Sequence, residues 1–176
     1  MKNKKKIVQS NNEVLRKQAT PVEEVDEEVK EIIRKMEDIL KNSEDAAALA
    51  APQIGISKQI VVIKKFQTDN FTIPKMVLIN PEIIEKKGPK QEAEEGCLSL
   101  MEPEIRGMVS RPGQVKVKAL NSAGEEFEKT TYGLLARIIQ HEVDHLKGKL
   151  FVDRAQPDSI HQVNNKADKN EPGPKI

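Results

Sequence analysis

Aromatic residues and cysteine are scarce in this chain of 176 residues. It contains no tryptophan, one tyrosine, four phenylalanines and a single cysteine. A single cysteine cannot form an internal disulfide, which is typical of a protein kept in a reducing compartment. So few aromatic rings also provide no platform on which the bases of single-stranded nucleic acid could stack. We therefore expect a cytoplasmic protein with an aliphatic core.

The chain also lacks a large net charge and a long apolar segment. Its 29 basic and 28 acidic residues leave a formal net charge of +1, so no overall electric field favours DNA or an anionic membrane. The apolar runs at 46–51 and 60–63 are much shorter than the roughly 20 residues that cross a bilayer. No apolar stretch of a signal peptide follows the lysine-rich start. We expect neither DNA nor a membrane as a partner, and a monomer is the default expectation.

The apolar pattern predicts one helix and several strands. Between Asp26 and Asn42, apolar residues recur at spacings of three and four, and Asp26 can cap this helix. Short β-branched runs at 60–63, 76–79 and 114–120 are typical of strands. Because helices do not alternate with these strands, we expect an α+β fold with antiparallel or mixed sheets.

A second helix is predicted from Gly133 to Lys147. Thr131 is its candidate cap, and Gly148 stands where a left-handed residue commonly ends a helix. The polar residues of this segment fall in a narrow arc of the helical wheel. Most of the second helix is therefore expected to be buried.

The chain length suits a single domain with its own core. We expect this domain over residues 1–155, and a flexible tail over the polar, proline-containing segment 156–176. His161 in the tail is expected to face solvent. The lysines among residues 2–6 are expected to be solvated as well.

The second helix carries the motif H-E-x-x-H at 141–145. Two imidazoles four residues apart project from one face of a helix and can bind one metal ion, and the glutamate between them can reach a water at that metal. The alternative is a pair of structural histidines with other hydrogen-bond partners. A metal site needs a third ligand from elsewhere in the chain.

The sole cysteine, Cys97, is the preferred candidate for that third ligand. It lies in E-G-C-L-S at 95–99, and thiolate binds borderline divalent metals strongly. Taken alone, Cys97 would as readily be an inert buried thiol. One cysteine and two histidines leave a fourth position open to water, which is the arrangement of a catalytic metal site.

Together these segments resemble the bacterial-type peptide deformylases, metalloenzymes that remove the formyl group from the N-terminal methionine of new polypeptides. The sequence A-A-A-L-A-A-P-Q at 46–53 is similar to the family's G-x-G-x-A-A-P-Q. E-G-C-L-S at 95–99 and Q-H-E-V-D-H at 140–145 match the family's other two motifs. The resemblance covers residues 10–155 and implies the peptide deformylase fold, in which sheets pack around a central metal-binding helix.

The resemblance also implies roles for individual residues. The implied metal ligands are Cys97, His141 and His145. Glu142 is the implied general acid and base, and Gln53 with the backbone N–H of Leu98 would bind the oxyanion. Contacts with the substrate peptide and its methionine side chain are expected for Ala46, Ala47, Ala48, Leu134 and Ile138. The family typically uses Fe²⁺, and Zn²⁺, Ni²⁺ or Co²⁺ can replace it.

Two of these positions depart from the family pattern, because Ala46 and Ala48 replace glycines. Alanine is strained there only if the backbone needs a positive φ, and otherwise it merely stiffens the loop. We expect an active enzyme. We also expect Asp144 or Glu95 to support the metal ligands, with Arg111 as a charge partner.

Two other functions remain as alternatives. H-E-x-x-H alone would suit a zinc endopeptidase, and the two alanines would suit a catalytically silent metal-binding paralogue that binds nascent N-termini. The partners implied by the resemblance are nascent formyl-methionyl polypeptides, with a transient ribosome contact. Several members of that family touch the ribosome through a basic C-terminal helix, and the prolines and mixed charge of this tail depart from that pattern.

Overall fold

The computed structural model describes residues 7–43, 46–67 and 71–163. Its fold is α+β with antiparallel sheets, as the sequence predicts. The helices in these ranges are α1 (Glu27–Lys41) and α2 (Gly133–Leu146). The strands are β1 (Ala48–Ala50), β2 (Ile60–Ile63), β3 (Phe66–Gln67), β4 (Thr72–Ile73), β5 (Met76–Met101), β6 (Glu104–Leu120), β7 (Glu126–Tyr132) and β8 (His161–Gln162).

Helix α1 forms where the spacing of apolar residues predicts it. Oδ1 of Asp26 accepts a hydrogen bond from the N–H of Val29 at 2.9 Å, which confirms the predicted cap. The apolar stripe of α1 is buried against β2 and its neighbours. The residues of this stripe are Val29, Ile32, Ile33, Met36, Ile39 and Leu40.

The main sheet has the strand order β1-β2-β5-β6-β7, with β8 paired to β6, while β3 and β4 form a separate pair. Strand β2 has the predicted bounds. The predicted strands at 76–79 and 114–120 are only the outer ends of the long partners β5 and β6. Charged residues occupy much of the intervening segment. Backbone hydrogen bonds between β5 and β6 therefore extend both strands through a segment without the apolar alternation that would predict a strand.

The ladder between β5 and β6 is interrupted near one end. Gly96 pairs with Arg106 and Met101 pairs with Glu104, with a register shift between these two pairs. The shift falls on the segment E-G-C-L-S. Backbone groups in such a shift depart from the regular pairing of the ladder and need other partners.

Helix α2 is packed against the sheet. Every residue from Leu135 to Leu146 is buried, which confirms the expectation from the helical wheel. The predicted cap by Thr131 is wrong, because the residue before the helix is Tyr132 and makes no side-chain cap bond. Thr131 is paired with Val115 in the sheet, and its hydroxyl donates to the Val115 carbonyl at 3.4 Å.

The end of α2 is closed by Gly148. Its φ of +69° confirms the predicted left-handed residue. A Cβ atom at this position would lie 2.7 Å from both the carbonyl carbon and the carbonyl oxygen of Arg16. The backbone at Arg16 therefore crosses directly over the end of the helix.

The segment expected to form a tail begins with residues that lie on the sheet. The N–H of Gln156 donates to the Met108 carbonyl at 3.0 Å, and β8 pairs with Ile105 and Arg106 of β6. His161 is exposed, as predicted. The rest of the predicted tail, 164–176, and the lysines at 2–6 lie outside the described residues. Within the described ranges, no helix combines the length and apolar character needed to cross a membrane.

Candidate metal centre

The three predicted ligands come together inside the protein. Cys97 lies on β5, and His141 and His145 lie one turn apart on α2. One donor atom from each residue falls within 4.8 Å of the other two. Each of the three residues is only 1% exposed. The sequence prediction that these residues form one group is therefore confirmed.

The donor set fits a divalent transition metal. Nε2 of His145 lies 3.3 Å from Sγ of Cys97. Nε2 of His141 is buried and has no hydrogen-bond partner among the described residues. Burial lowers the pKa of His145 well below its ordinary value, so its imidazole stays neutral, as a metal ligand must. Cysteine sulfur and imidazole nitrogen are donors that bind zinc and other divalent transition metals.

Glu95 fixes the orientation of the His141 ring. Its Oε2 accepts from Nδ1 of His141 at 3.0 Å, which leaves Nε2 to face the other donors. Arg111 donates to both oxygens of Glu95, at 2.7 and 3.0 Å. Burial alone would raise the pKa of Glu95, but the hydrogen bonds from His141 and Arg111 outweigh it and lower that pKa far below the ordinary value. Glu95 is therefore an ionised, fully buried carboxylate.

A second carboxylate, Asp144, extends this network to the end of α2. Nη1 of Arg111 donates to Oδ2 of Asp144 at 2.8 Å, and Arg154 donates to both Asp144 oxygens. Burial raises the pKa of Asp144, but the hydrogen bonds from Arg154 and Arg111 lower it overall. Of the two carboxylates expected as alternative supports, Glu95 is the one that bonds to His141, and Arg111 joins Glu95 to Asp144.

Arg137 belongs to the same network, although the sequence analysis did not assign it there. Its Nη1 donates to Oε1 of Glu95 at 2.6 Å and to the carbonyl of Val109 at 3.0 Å. The side chain is 8% exposed. Arg137 precedes His141 by four residues, so both lie on one side of the helix. The sequence signal for this role was a charged residue one turn before a predicted metal ligand, on a helix expected to be buried.

Gln53 is buried beside Cys97. It lies in the 3-10 turn Ala51–Ile54 and is 1% exposed. The N–H of Ala50 donates to Oε1 of Gln53 at 2.8 Å, which turns the amide nitrogen toward Cys97, with Nε2 3.4 Å from Sγ. The orientation of the Gln53 side-chain amide is thus set by the Ala50 N–H, which can bond only to the oxygen of that amide. Gln53 is therefore an interior residue with an amide group facing Cys97.

Glu142 lies in the interior without a compensating partner. It is 0% exposed, and neither carboxylate oxygen has a hydrogen-bond partner in the part of the chain that the structure describes. Burial raises its pKa to about 7. A carboxyl group with that pKa can both accept and release a proton near neutral pH.

The residues expected to contact substrate divide between two apolar clusters. Ala47, Ala48 and Ile138 are buried in the cluster around α2, and Leu134 packs against it half-buried. Ala46 belongs to the neighbouring cluster beneath α1. Among the described residues other than glycine, only Asn80 has a positive φ, so the φ angles at 46 and 48 are not positive. Alanine therefore replaces the family glycines at 46 and 48 without backbone strain.

Known proteins share this arrangement of sequence and fold. The model of the polypeptide deformylase family matches residues 4–160. Peptide deformylase 2 of Clostridium acetobutylicum is 46% identical over 144 residues, which cover 82% of this chain and 90% of that protein. The crystal structure of a peptide deformylase from Synechococcus elongatus in complex with actinonin has a TM-score of 0.77 at 41% identity, with 85% of this chain and 79% of that chain covered. The Met-Ala-Ser-bound class I type b peptide deformylase of Acinetobacter baumannii has a TM-score of 0.77 at 34% identity, with 84% and 96% covered. The chain belongs to the polypeptide deformylase family.

Proposed function

We propose that the buried centre formed by Cys97, His141 and His145 is the active site of a peptide deformylase. The chain is a metallohydrolase of this family, and its reaction removes the formyl group from the N-terminal methionine of a newly made polypeptide and releases formate. We assign the reaction to this site because one thiol and two imidazoles converge there, next in the chain to the unpaired carboxylate of Glu142.

Cys97, His141 and His145 would hold the metal. A divalent metal bound there supplies a Lewis acid that lowers the pKa of water toward neutrality. We assign Fe²⁺ as the metal in the cell. Zn²⁺, Ni²⁺ and Co²⁺ also suit the sulfur and nitrogen donors of this site.

Glu142 acts as the general acid and base in this proposal. Its carboxylate takes a proton from the attacking water as the water oxygen forms a bond with the formyl carbon. The same group then gives this proton to the methionine nitrogen as the C–N bond breaks, which leaves a free amine and formic acid, and the formic acid then ionises to formate. A pKa of about 7 suits both transfers.

Gln53 and Leu98 stabilise the charge that develops on the formyl oxygen. The Nε2 group of Gln53 already points toward Cys97, and Leu98 directly follows Cys97 in the chain. Neutral N–H donors fixed before the reaction are effective oxyanion partners, each commonly worth about 10²–10³ in rate. We assign these two groups as the oxyanion donors.

The peptide substrate would bind along the segment Ala46–Ala48, with Leu134 and Ile138 against the methionine side chain. The small apolar residues of this segment allow close approach of another backbone. The Acinetobacter baumannii neighbour was solved with Met-Ala-Ser bound. That tripeptide has the form of a deformylated N-terminus, so it supports nascent formyl-methionyl polypeptides as the substrates of this chain.

The decisive experiment measures formate release from N-formyl-Met-Ala-Ser. The protein is purified without oxygen, loaded with iron or nickel, and compared with Glu142→Gln, which keeps the shape of the side chain but cannot accept the proton. We expect turnover by the wild type and a loss of about 10²–10⁴ in the variant at equal metal content. Tight substrate binding without formate would instead establish a silent paralogue, and chelator-sensitive cleavage of casein would establish an endopeptidase.

We further propose that the protein works as a cytoplasmic monomer with a transient ribosome contact. The single cysteine supports a reducing compartment. We take residues 1–155 as the catalytic domain, and the pairing of β8 with β6 supports counting 161–162 as attached to it.

A further inference from the structure

The N-terminal segment Val8–Gln9 contacts both residues that the proposed function uses as oxyanion donors. The N–H of Val8 donates to the backbone carbonyl of Gln53 at 2.9 Å. Nε2 of Gln9 donates to the backbone carbonyl of Leu98 at 3.2 Å. The Oε1 atom of Gln9 accepts from the N–H of Met101, also at 3.2 Å. Two adjacent residues thus join segments that lie far apart in sequence.

The bonds of Gln9 fall where the β5–β6 ladder is interrupted. The register shift lies between Gly96 and Met101, so a partner other than the regular ladder is needed for this segment. A side-chain amide offers the same donor and acceptor as a peptide group. Gln9 therefore takes the place of a neighbouring strand at Leu98 and Met101.

One peptide unit next to the metal ligands is held on both sides. The carbonyl of the Leu98–Ser99 peptide accepts from Gln9, and the N–H of the same unit donates to Sγ of Cys97 at 3.4 Å. The orientation of this unit limits the backbone rotation of Leu98. The direction of the Leu98 N–H consequently depends on the bond from Gln9.

The segment that carries Gln9 is itself anchored. Ile7 packs against the cluster beneath α1, and Val8 packs against the cluster that contains Cys97 and Phe151. Both are half-buried, as is Gln9. Because the backbone at Gln9 is already fixed by this packing, less conformational entropy is lost when the Gln9 side chain forms its hydrogen bond with Leu98.

We propose that Gln9 is a positioning residue for deformylation, because its amide aligns Leu98 while the adjacent Val8 aligns Gln53. The segment Val8–Gln9 thereby sets the spacing between the two oxyanion donors. The proposal rests on the proposed function, in which Leu98 and Gln53 bind the oxyanion. Gln9 acts only through these residues and does not contact the substrate.

The test compares Gln9→Ala and Gln9→Glu with the matched control Gln59→Ala. Gln59 also joins distant segments through its side-chain amide, by donating to the carbonyl of Ala19 at 3.1 Å, but it forms no hydrogen bond with Gln53 or Leu98. Gln9→Glu keeps the acceptor for Met101 and removes the donor to Leu98. The chain is loaded with metal, and kcat, KM, Co²⁺ affinity, the Co²⁺ absorption spectrum and Tm are measured for each variant.

We expect kcat to fall by about tenfold in both Gln9 variants, with KM within about twofold of the wild type, since misplaced oxyanion donors weaken binding of the transition state rather than of the substrate. Co²⁺ affinity should stay within about twofold of the wild type, because the three ligand side chains are all retained. The Gln59→Ala control should keep the wild-type kcat. A hydroxamate inhibitor, whose oxygen takes the place of the oxyanion, should bind the Gln9 variants more weakly in step with kcat.

Several results would overturn the proposal. Wild-type kcat in Gln9→Ala at equal metal content would do so, as would Co²⁺ affinity that falls in parallel with kcat, which would indicate a general loss of the site. Wild-type kcat in Gln9→Glu would remove the contact with Leu98 from the explanation. If Gln53→Ala lowers kcat and Gln9→Ala does not, the proposal for Gln9 is refuted while the proposed function stands. If Gln53→Ala has no effect, or the wild type releases no formate, the proposed function fails with it.

Discussion

Replacing Arg111 by methionine should destabilise the protein and weaken its metal site. The Arg111 side chain is 4% exposed and gives three hydrogen bonds to Glu95 and Asp144. Methionine fills a similar volume but leaves two buried carboxylates with fewer donors. Breaking a buried ion pair typically costs about 3–5 kcal/mol. Glu95 keeps Arg137 and His141, and Asp144 keeps Arg154, so we expect the lower end of this range.

This cost converts into a measurable change in melting temperature. With roughly 2.1 cal/mol/K of unfolding entropy per residue, the 176 residues give about 0.37 kcal/mol/K, so a loss of about 3 kcal/mol lowers Tm by about 8 °C. Because Glu95 orients His141, metal affinity should also fall about 10- to 100-fold. Thermal unfolding with and without a chelator separates the two effects, since metal binding itself raises Tm.

The control for this prediction is Arg34→Met on the surface of α1. Its side chain is 55% exposed and pairs with Glu31, so its removal should cost less than about 1 kcal/mol. If Arg111→Met lowered Tm no more than Arg34→Met and kept full metal affinity, the buried network would have no part in stability or in supporting the ligands.

Two further substitutions test the ligand set and the alanine that begins strand β1. Cys97→Ser should abolish the sulfur-to-metal charge-transfer absorption of the Co²⁺-loaded protein and weaken Co²⁺ binding in a titration, because the softer thiolate donor is lost; an unchanged spectrum would remove Cys97 from the ligand set. Ala48→Gly should lower stability by about 0.5–1 kcal/mol in a denaturant titration, because glycine has more freedom to lose at a negative φ. A gain in stability would show that the backbone strains alanine at this position.

The sequence predicted the elements with a clear apolar pattern and missed those without one. Helix α1 was found as expected because its apolar residues recur at helical spacing, and strand β2 because it is a short β-branched apolar run. Much of β5 and the first part of β6 could not be predicted, since residues such as Glu92 and Lys90 carry no sign of a strand. Their conformation depends on pairing with a partner strand that lies elsewhere in the sequence.

The residues of the proposed metal site could be predicted, as could Glu95, Asp144 and Arg111 behind them, but other parts of the surrounding network could not. His141 and His145 lie at a spacing that identifies them, and Cys97 was the single cysteine available. Arg137 and Gln9 gave no comparable signal. Charged residues make up 32% of the chain, so which arginine meets which carboxylate is settled only by contacts between distant segments. The bond from Gln9 to Leu98, for example, spans 89 positions.

The crossing at Gly148 limits how the metal-binding helix could be transplanted. A designer who grafts α2 onto another scaffold would carry the two histidines and the glutamate, but the helix ends against the backbone of Arg16, where a Cβ atom has no room. A graft must therefore include the segment around Arg16 or supply another backbone at the same distance. The unit that can be transferred is helix α2 together with the backbone segment around Arg16 that covers its end.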